Sequence, residues 1–164
     1  MNTAAMHWVE RLGLEPHPEG GHYRRTYTAE LMLPSSVLPD HTGDRHVASA
    51  IIFLLAAGET SRLHRLASDE MWFYHQGDPL TLHLIHPYGH HEEVVLGCES
   101  GQQLQALAPA GVWFGAAPTA GPQGFSLVGN SVAPAFDFAD FELANKADLL
   151  AHYPELNAII ERLT

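Results

Sequence analysis

Apolar positions recur at helical spacing only near the two ends of the chain, and the pattern between them is that of strands. Met6, Val9 and Leu12 share one helix face. Asn2 or Thr3 stands where a cap belongs, and Gly13 where a left-handed residue closes a helix. A helix over residues 3–12 is predicted. Pro16 and Pro18 then forbid helix, Gly20 and Gly21 mark a turn, and HYRRTYT (22–28) alternates as a strand. Residues 31–45 carry turn chemistry without a period. Residues 47–55 form a continuous apolar run, as for a strand buried on both faces, and residues 61–66 and 70–75 are shorter strands. Over residues 80–86, Leu80, Leu82 and Leu84 alternate with Thr81, His83 and Ile85, which predicts one buried and one open face. Residues 94–96, 103–107, 112–116 and 125–132 continue the series, with turn signals about every ten residues, the mark of a sandwich or barrel. APAFDFADFELA (133–144) is a turn-rich aromatic segment, and residues 146–163 read as one or two short helices interrupted near Pro154.

Composition narrows the partners. With 46% hydrophobic and 16% charged residues over 164 positions, the chain is globular and expected to form one domain, residues 1–164. The barrel core is placed at about residues 20–143 and the helical end at about 146–163. A net charge of -11, with only 8 Lys and Arg, argues against nucleic acid and anionic membrane as partners. It does not exclude a small anion, which one or two arginines in a pocket can hold. The single cysteine, Cys98, allows no intramolecular disulfide and reads as a buried or turn-side structural thiol, in keeping with a reducing compartment. No leader-like start is expected, and the longest apolar run (50–58) is too short to span a bilayer as a helix. A cytoplasmic protein is the expectation. No internal repeat or linker is apparent.

The stretch GETSRLHRLASDEMWFYHQG (58–77) carries the chemistry. Gly58, five residues, His64, one residue, Leu66, three residues, Glu70, six residues and Gly77 keep the spacing of the first motif of the cupin superfamily, which this stretch resembles. Leu66 stands where that family has a second histidine. In PAGVWF, Pro109 and Gly111 match the second motif, and Phe114 replaces its histidine. The glycine expected before Pro109 is displaced, with Gln103 in its place and Gly101 nearest. HPEGGHYRRTY, IIFLLAAGETSRLHRLASDEMWFYHQGDPL, APAGVWFGA and SLVGNSVAPAFDFADFEL look like the cupin-like DUF985 (Cupin_5) family, over about residues 12–143. The resemblance implies an all-β fold, a double-stranded β-helix or jelly-roll barrel with short N- and C-terminal helices. It also implies a dimer and a pocket in the barrel mouth.

Residues two apart on a strand share a face. Arg62, His64 and Leu66 therefore point together, as do Glu70, Trp72 and Tyr74. In the cupin register both sets face inward, so His64 and Glu70 oppose each other with Phe114 on the far wall. Two ligands remain where a first-row metal usually takes at least three, so the four-ligand site is not expected. Three readings of the pair stand. It is an acid–base pair, with His64 as base and Glu70 orienting it; or a weakened metal site on His64 and Glu70, completed by His75, His22 or Glu19; or a hydrogen-bonded pair of purely structural value.

Tyr74 joins the catalytic set if its hydroxyl reaches the ligand. Glu19, Tyr23, Arg25, Ser61, Arg62, Trp72 and Phe114 are the candidate ligand-binding residues. The function expected is small-molecule binding, with metal-independent isomerisation or epimerisation of a sugar-like or carboxylate ligand. The alternatives are a non-catalytic metabolite sensor and a metal-dependent cupin enzyme with a rebuilt site. No cofactor is expected, a weakly held divalent metal being the alternative, and a homodimer is the expected assembly. His86, His90, His91, Glu92 and Glu93 read as a solvated hairpin turn. Asp137, Asp140 and Glu142 read as solvated or turn-capping acids.

Overall fold

A computed structural model describes residues 1–164. Helix α1 (Thr3–Leu12) is capped by Asn2, whose side chain accepts from the Ala5 amide, and closed by left-handed Gly13. The strands are β1 (Glu15–Pro16), β2 (His22–Thr28), β3 (Met32–Leu33), β4 (Arg45–His46), β5 (Ser49–Ala56), β6 (Ser61–Leu66), β7 (Asp69–Gly77), β8 (Leu80–Ile85), β9 (His91–Leu96), β10 (Gln105–Ala108), β11 (Trp113–Pro118), β12 (Phe125–Ala133) and β13 (Phe141–Leu143). Helices α2 (Lys146–His152) and α3 (Asn157–Leu163) end the chain, with a 3-10 turn at Pro154–Leu156 between them. Pro154 cannot continue α2, which is why the predicted interruption falls there.

The strands form two large antiparallel sheets and a separate two-stranded one, β3-β4. One has six strands in the order β1-β2-β5-β12-β7-β10, and the other five in the order β13-β6-β11-β8-β9. Chain neighbours such as β6 and β7 lie in different sheets, so the chain winds between the two walls of the expected double-stranded β-helix. Trp72, Phe53, Phe114, Leu82, Leu84 and Val128 belong to the core enclosed between them. Burial of these large side chains is the main stabilising term, roughly 1.5–3 kcal/mol for each.

Two smaller cores lie outside the barrel. Helix α1 packs Ala5 against Leu54, Ala56 and Phe125 on one outer face. Helices α2 and α3 pack Leu149, Ile160 and Leu163 against Leu63, Ile85 and Ala117 on the other. The second cover corrects the open face expected on β8. Ile85 and His83, read as the open side of an alternating strand, are both buried. The aromatic segment also differs from expectation at one acid. Asp140 is not solvated: its carboxylate takes a bidentate pair from Arg45, at 2.6 Å from Nε and 2.8 Å from Nη2. That pair ties the 136–141 segment to β4. Asp137, as expected, caps a turn through the Ala139 amide.

Candidate functional site at the barrel mouth

A cavity enters the barrel beside β2, β5, β6, β7 and β12, with an empty volume of about 520 Å³ including its mouth. Its polar lining includes His17, Glu19, His64, Glu70 and Asn130, with Tyr23 and Arg25 also lining it. Phe53, Phe136 and Phe138 are among its apolar walls.

His64 lines this cavity from β6, beside a bulge. Strand β11 pairs Phe114 with His64 but Ala116 with Ser61, so Arg62 and Leu63 of β6 together oppose Gly115 of β11. The extra residue puts Ser61 on the face of His64. Arg62, expected on that face, instead donates from Nη2 to the Pro18 carbonyl and from Nε to the Glu19 carbonyl. Arg62 therefore clamps the segment that carries Glu19 rather than lining the cavity.

The Glu19 segment is a tight turn. His17 donates its amide to Gly21, and Gly20 donates back to His17. Gly20 has φ +114°, and a Cβ there would meet the Thr60 carbonyl oxygen at 2.2 Å. Only glycine fits so close an approach. The consequence is that Glu19, some forty residues before β6 and exposed in any local reading, is buried beside His64. Its Oε2 lies 3.2 Å from His64 Nε2, and its Oε1 accepts from Ser61 Oγ at 2.7 Å.

This corrects the role expected of Glu70. The carboxylate paired with His64 is Glu19. Glu70 takes its hydrogen bond from Asn130 Nδ2 at 2.7 Å instead. Phe114 is also displaced from the far wall: it sits directly across the ladder from His64, ring centroids 4.2 Å apart. Trp72 and Phe114 are fully buried core residues beneath the cavity, and their rings meet edge-on. Tyr74 donates its hydroxyl to the Gly77 carbonyl at 2.6 Å, and burial raises its pKa, so it is not placed as an acid for the cavity. Tyr23 and Arg25 line the cavity, Arg25 lying over the Phe136 ring. Asp69 points away and caps the Ala110 amide.

Hydrogen-bond geometry places the protons. His64 Nδ1 lies 2.7 Å from the Arg62 carbonyl, which can only accept, so Nδ1 carries a hydrogen. Nε2 faces the Glu19 carboxylate at 3.2 Å. His17 accepts the Glu19 amide at Nδ1, and burial holds its imidazole below the ordinary value despite the neighbouring Glu19. Its 3.5 Å approach to Glu19 is therefore that of a neutral ring. Glu70 is pushed up to about 8, first by burial and then by the charge of Glu19, with Asn130 opposing. At neutral pH the cavity thus holds one protonated carboxyl, Glu70, close to the Glu19–His64 contact. Asn130 Oδ1 is buried with no partner, an acceptor facing a donor the protein does not supply.

The four metal-ligand positions of the cupin motifs hold His64, Leu66, Glu70 and Phe114. Leu66 and Phe114 are buried core residues that offer no donor atom. His22 and His75, named as substitute ligands, do not line the cavity, whereas Glu19 does. No group of three ligand atoms converges in the cavity, so this donor set does not fit a cupin-type metal centre.

Fold and cavity together define a cupin barrel whose pocket keeps the first histidine and the glutamate of the motif and has lost the other two metal-ligand positions. The profile of the family described as Cupin superfamily (DUF985) matches residues 6–144, and the chain belongs to that family. A hypothetical protein from Leishmania major is 36% identical with a TM-score of 0.90, the match covering 98% of each chain. Protein SO0799 from Shewanella oneidensis is 40% identical with a TM-score of 0.87, covering 100% of this chain and 98% of that one. Oxalate decarboxylase from Bacillus subtilis shares the fold alone, at 12% identity and a TM-score of 0.55, over 91% of this chain and 36% of that one. No curated protein matches the chain. No helix is long and apolar enough to cross a membrane.

Proposed function

We propose that this protein binds a small polyhydroxylated or carboxylate-bearing carbonyl compound and moves a proton on it, as an isomerase or epimerase that uses no metal in the barrel. The observation that supports the reading is the pair of carboxyls in one cavity, in different surroundings. Glu70 is held protonated by burial and by the charge of Glu19, while Glu19 lies 3.2 Å from His64 Nε2. A carboxyl held protonated beside a carboxylate–imidazole contact is an arrangement suited to general acid–base transfer.

In this scheme the Glu19–His64 pair removes a proton from the carbon beside a carbonyl. Glu70 donates a hydrogen bond to the carbonyl oxygen as it gains charge. Reprotonation on the same or the neighbouring carbon gives the product. Asn130 Oδ1 would take a ligand hydroxyl, and Arg25 would meet a ligand carboxylate at the mouth. The His64 role of the sequence reading is thereby widened to a pair, and Glu70 becomes the acid.

The test is solvent exchange. Aldoses, ketoses and 2-hydroxy or 2-oxo acids are incubated with the protein in deuterium oxide and followed by NMR. Deuterium entering beside the carbonyl, at a rate that falls about 100-fold or more in Glu70→Gln and Glu19→Gln, is the expected result. A compound that raises the melting temperature but returns without deuterium overturns catalysis and establishes the sensor reading. The assembly we propose is a homodimer, because Tyr27, Leu31, Met32 and Val37 expose a run of apolar surface close together in the chain. Sedimentation as a monomer at micromolar concentration would sink it.

A further inference from the structure

We propose that the outer face of the β8–β9 hairpin is a binding site for one zinc-like divalent cation, held by His83, His91 and Glu93 and independent of the barrel cavity. The register places His83 opposite Glu93 and Ile85 opposite His91, so all three side chains leave the same face of the ladder. His83 Nδ1 lies 3.2 Å from His91 Nε2 and 3.3 Å from Glu93 Oε1, and His91 Nε2 lies 3.9 Å from that oxygen. Ligands about 2.0–2.1 Å from a tetrahedral zinc ion stand roughly 3.3 Å from one another. Two of the three edges already have that length. The third closes by a small rotation of Glu93, whose side chain is exposed.

The three atoms converge without satisfying one another. A single N–H on His83 Nδ1 or His91 Nε2 can serve one neighbour and leaves the third atom facing a group of its own kind. A cation satisfies all three. Two imidazoles and one carboxylate select first-row ions of the zinc type over magnesium or calcium.

The fourth position opens on the cleft between β9 and α3, where Glu155 and Arg162 also face His91 and Glu93. Arg162 opposes positive charge near His83, and His83 Nε2 has no buried partner. Both features weaken the site, so micromolar affinity is expected rather than that of a structural zinc finger. The ion would pin the hairpin beneath the C-terminal helices.

The experiment uses untagged protein purified without a metal column and stripped with chelator. It is titrated with Co²⁺, read by the tetrahedral absorption band, and with Zn²⁺, read by competition and by thermal shift. One ion per wild-type chain is expected, with affinity falling at least about tenfold in His91→Ala and in Glu93→Gln. Glu93 is exposed and His91 is half-buried, and circular dichroism checks the fold. His90→Ala in the adjoining turn and Glu70→Gln in the cavity should bind as wild type does. Unaltered affinity in His91→Ala, or no binding by wild type at a hundredfold excess of Zn²⁺, overturns the site. Loss of binding in Glu70→Gln instead would place the ion in the barrel and overturn it equally.

Discussion

At the barrel mouth and on the outer face of the β8–β9 hairpin a buried histidine stands beside a glutamate, and the two surroundings differ in how completely they satisfy the ring. His64 has partners for both nitrogens, the Arg62 carbonyl and Glu19. His83 has two partners crowding one nitrogen and none on the other. The titrating groups of the two regions also move oppositely for one cause. Desolvation raises Glu70 to about 8 and lowers His83 to about 4, because burial penalises whichever form is charged. A cavity closed around satisfied donors is suited to moving protons. A face where lone pairs converge is suited to a cation.

The strongest way to break the comparison is to move Glu19. Gly20→Ala would press a methyl group against the Thr60 carbonyl at a φ that L-residues rarely adopt. It should cost on the order of 3 kcal/mol in urea unfolding and abolish ligand binding in the cavity, while cobalt binding at the hairpin persists. Loss of both together would show that the regions are not independent.

Next in size is Arg45→Ala. It leaves Asp140 nearly buried and unpaired. A loss of about 3 kcal/mol is expected, with weaker cavity ligand binding because the Phe136–Phe138 wall loosens. An unchanged melting curve would mean that the aromatic segment is held by packing alone.

A smaller, pH-dependent effect follows from Glu70. Its folded pKa of about 8 exceeds its ordinary value of 4.5, so folding takes up a proton between those limits. Stability from this group is complete below pH 4.5 and is lost as pH rises towards 8 and beyond. Glu70→Gln should flatten that slope and be the more stable protein at pH 8, by on the order of 1–3 kcal/mol. The groups that set the window are Glu19 and Asn130, so Glu19→Gln should narrow it from the alkaline side. Parallel wild-type and Glu70→Gln curves across the whole window would refute the burial of a protonated Glu70.

Smallest is Arg65→Ala. Arg65 pairs with Glu142 at 2.6 Å, but both side chains are largely exposed. The change should stay under about 1 kcal/mol and leave both sites intact. A larger loss would assign weight to its stacking over Trp113, 4.5 Å from the ring centroid.

What the sequence determined by itself is local and periodic. Alternation and apolar runs placed the longer barrel strands to within a few residues and missed the short β1, β3, β4 and β13, Asn2 and Gly13 bounded the first helix, and Pro154 interrupted the last. Motif spacing put His64 and Glu70 in one barrel and showed that Leu66 and Phe114 could not ligate a metal. Tertiary structure decided the rest, because it depends on which distant segments touch. The bulge in β6 exchanged Ser61 for Arg62 on the inner face, and a one-residue slip in a ladder leaves no mark in an apolar pattern. Glu19 became the partner of His64 only because two glycines let a distant turn lie against Thr60 and Leu54. His83 read as the open side of an alternating strand, and the helices that bury it arrive more than sixty residues later. Period two tells which side chains share a face. Which face meets another part of the chain is settled by closure of the fold, and here that closure made both candidate sites.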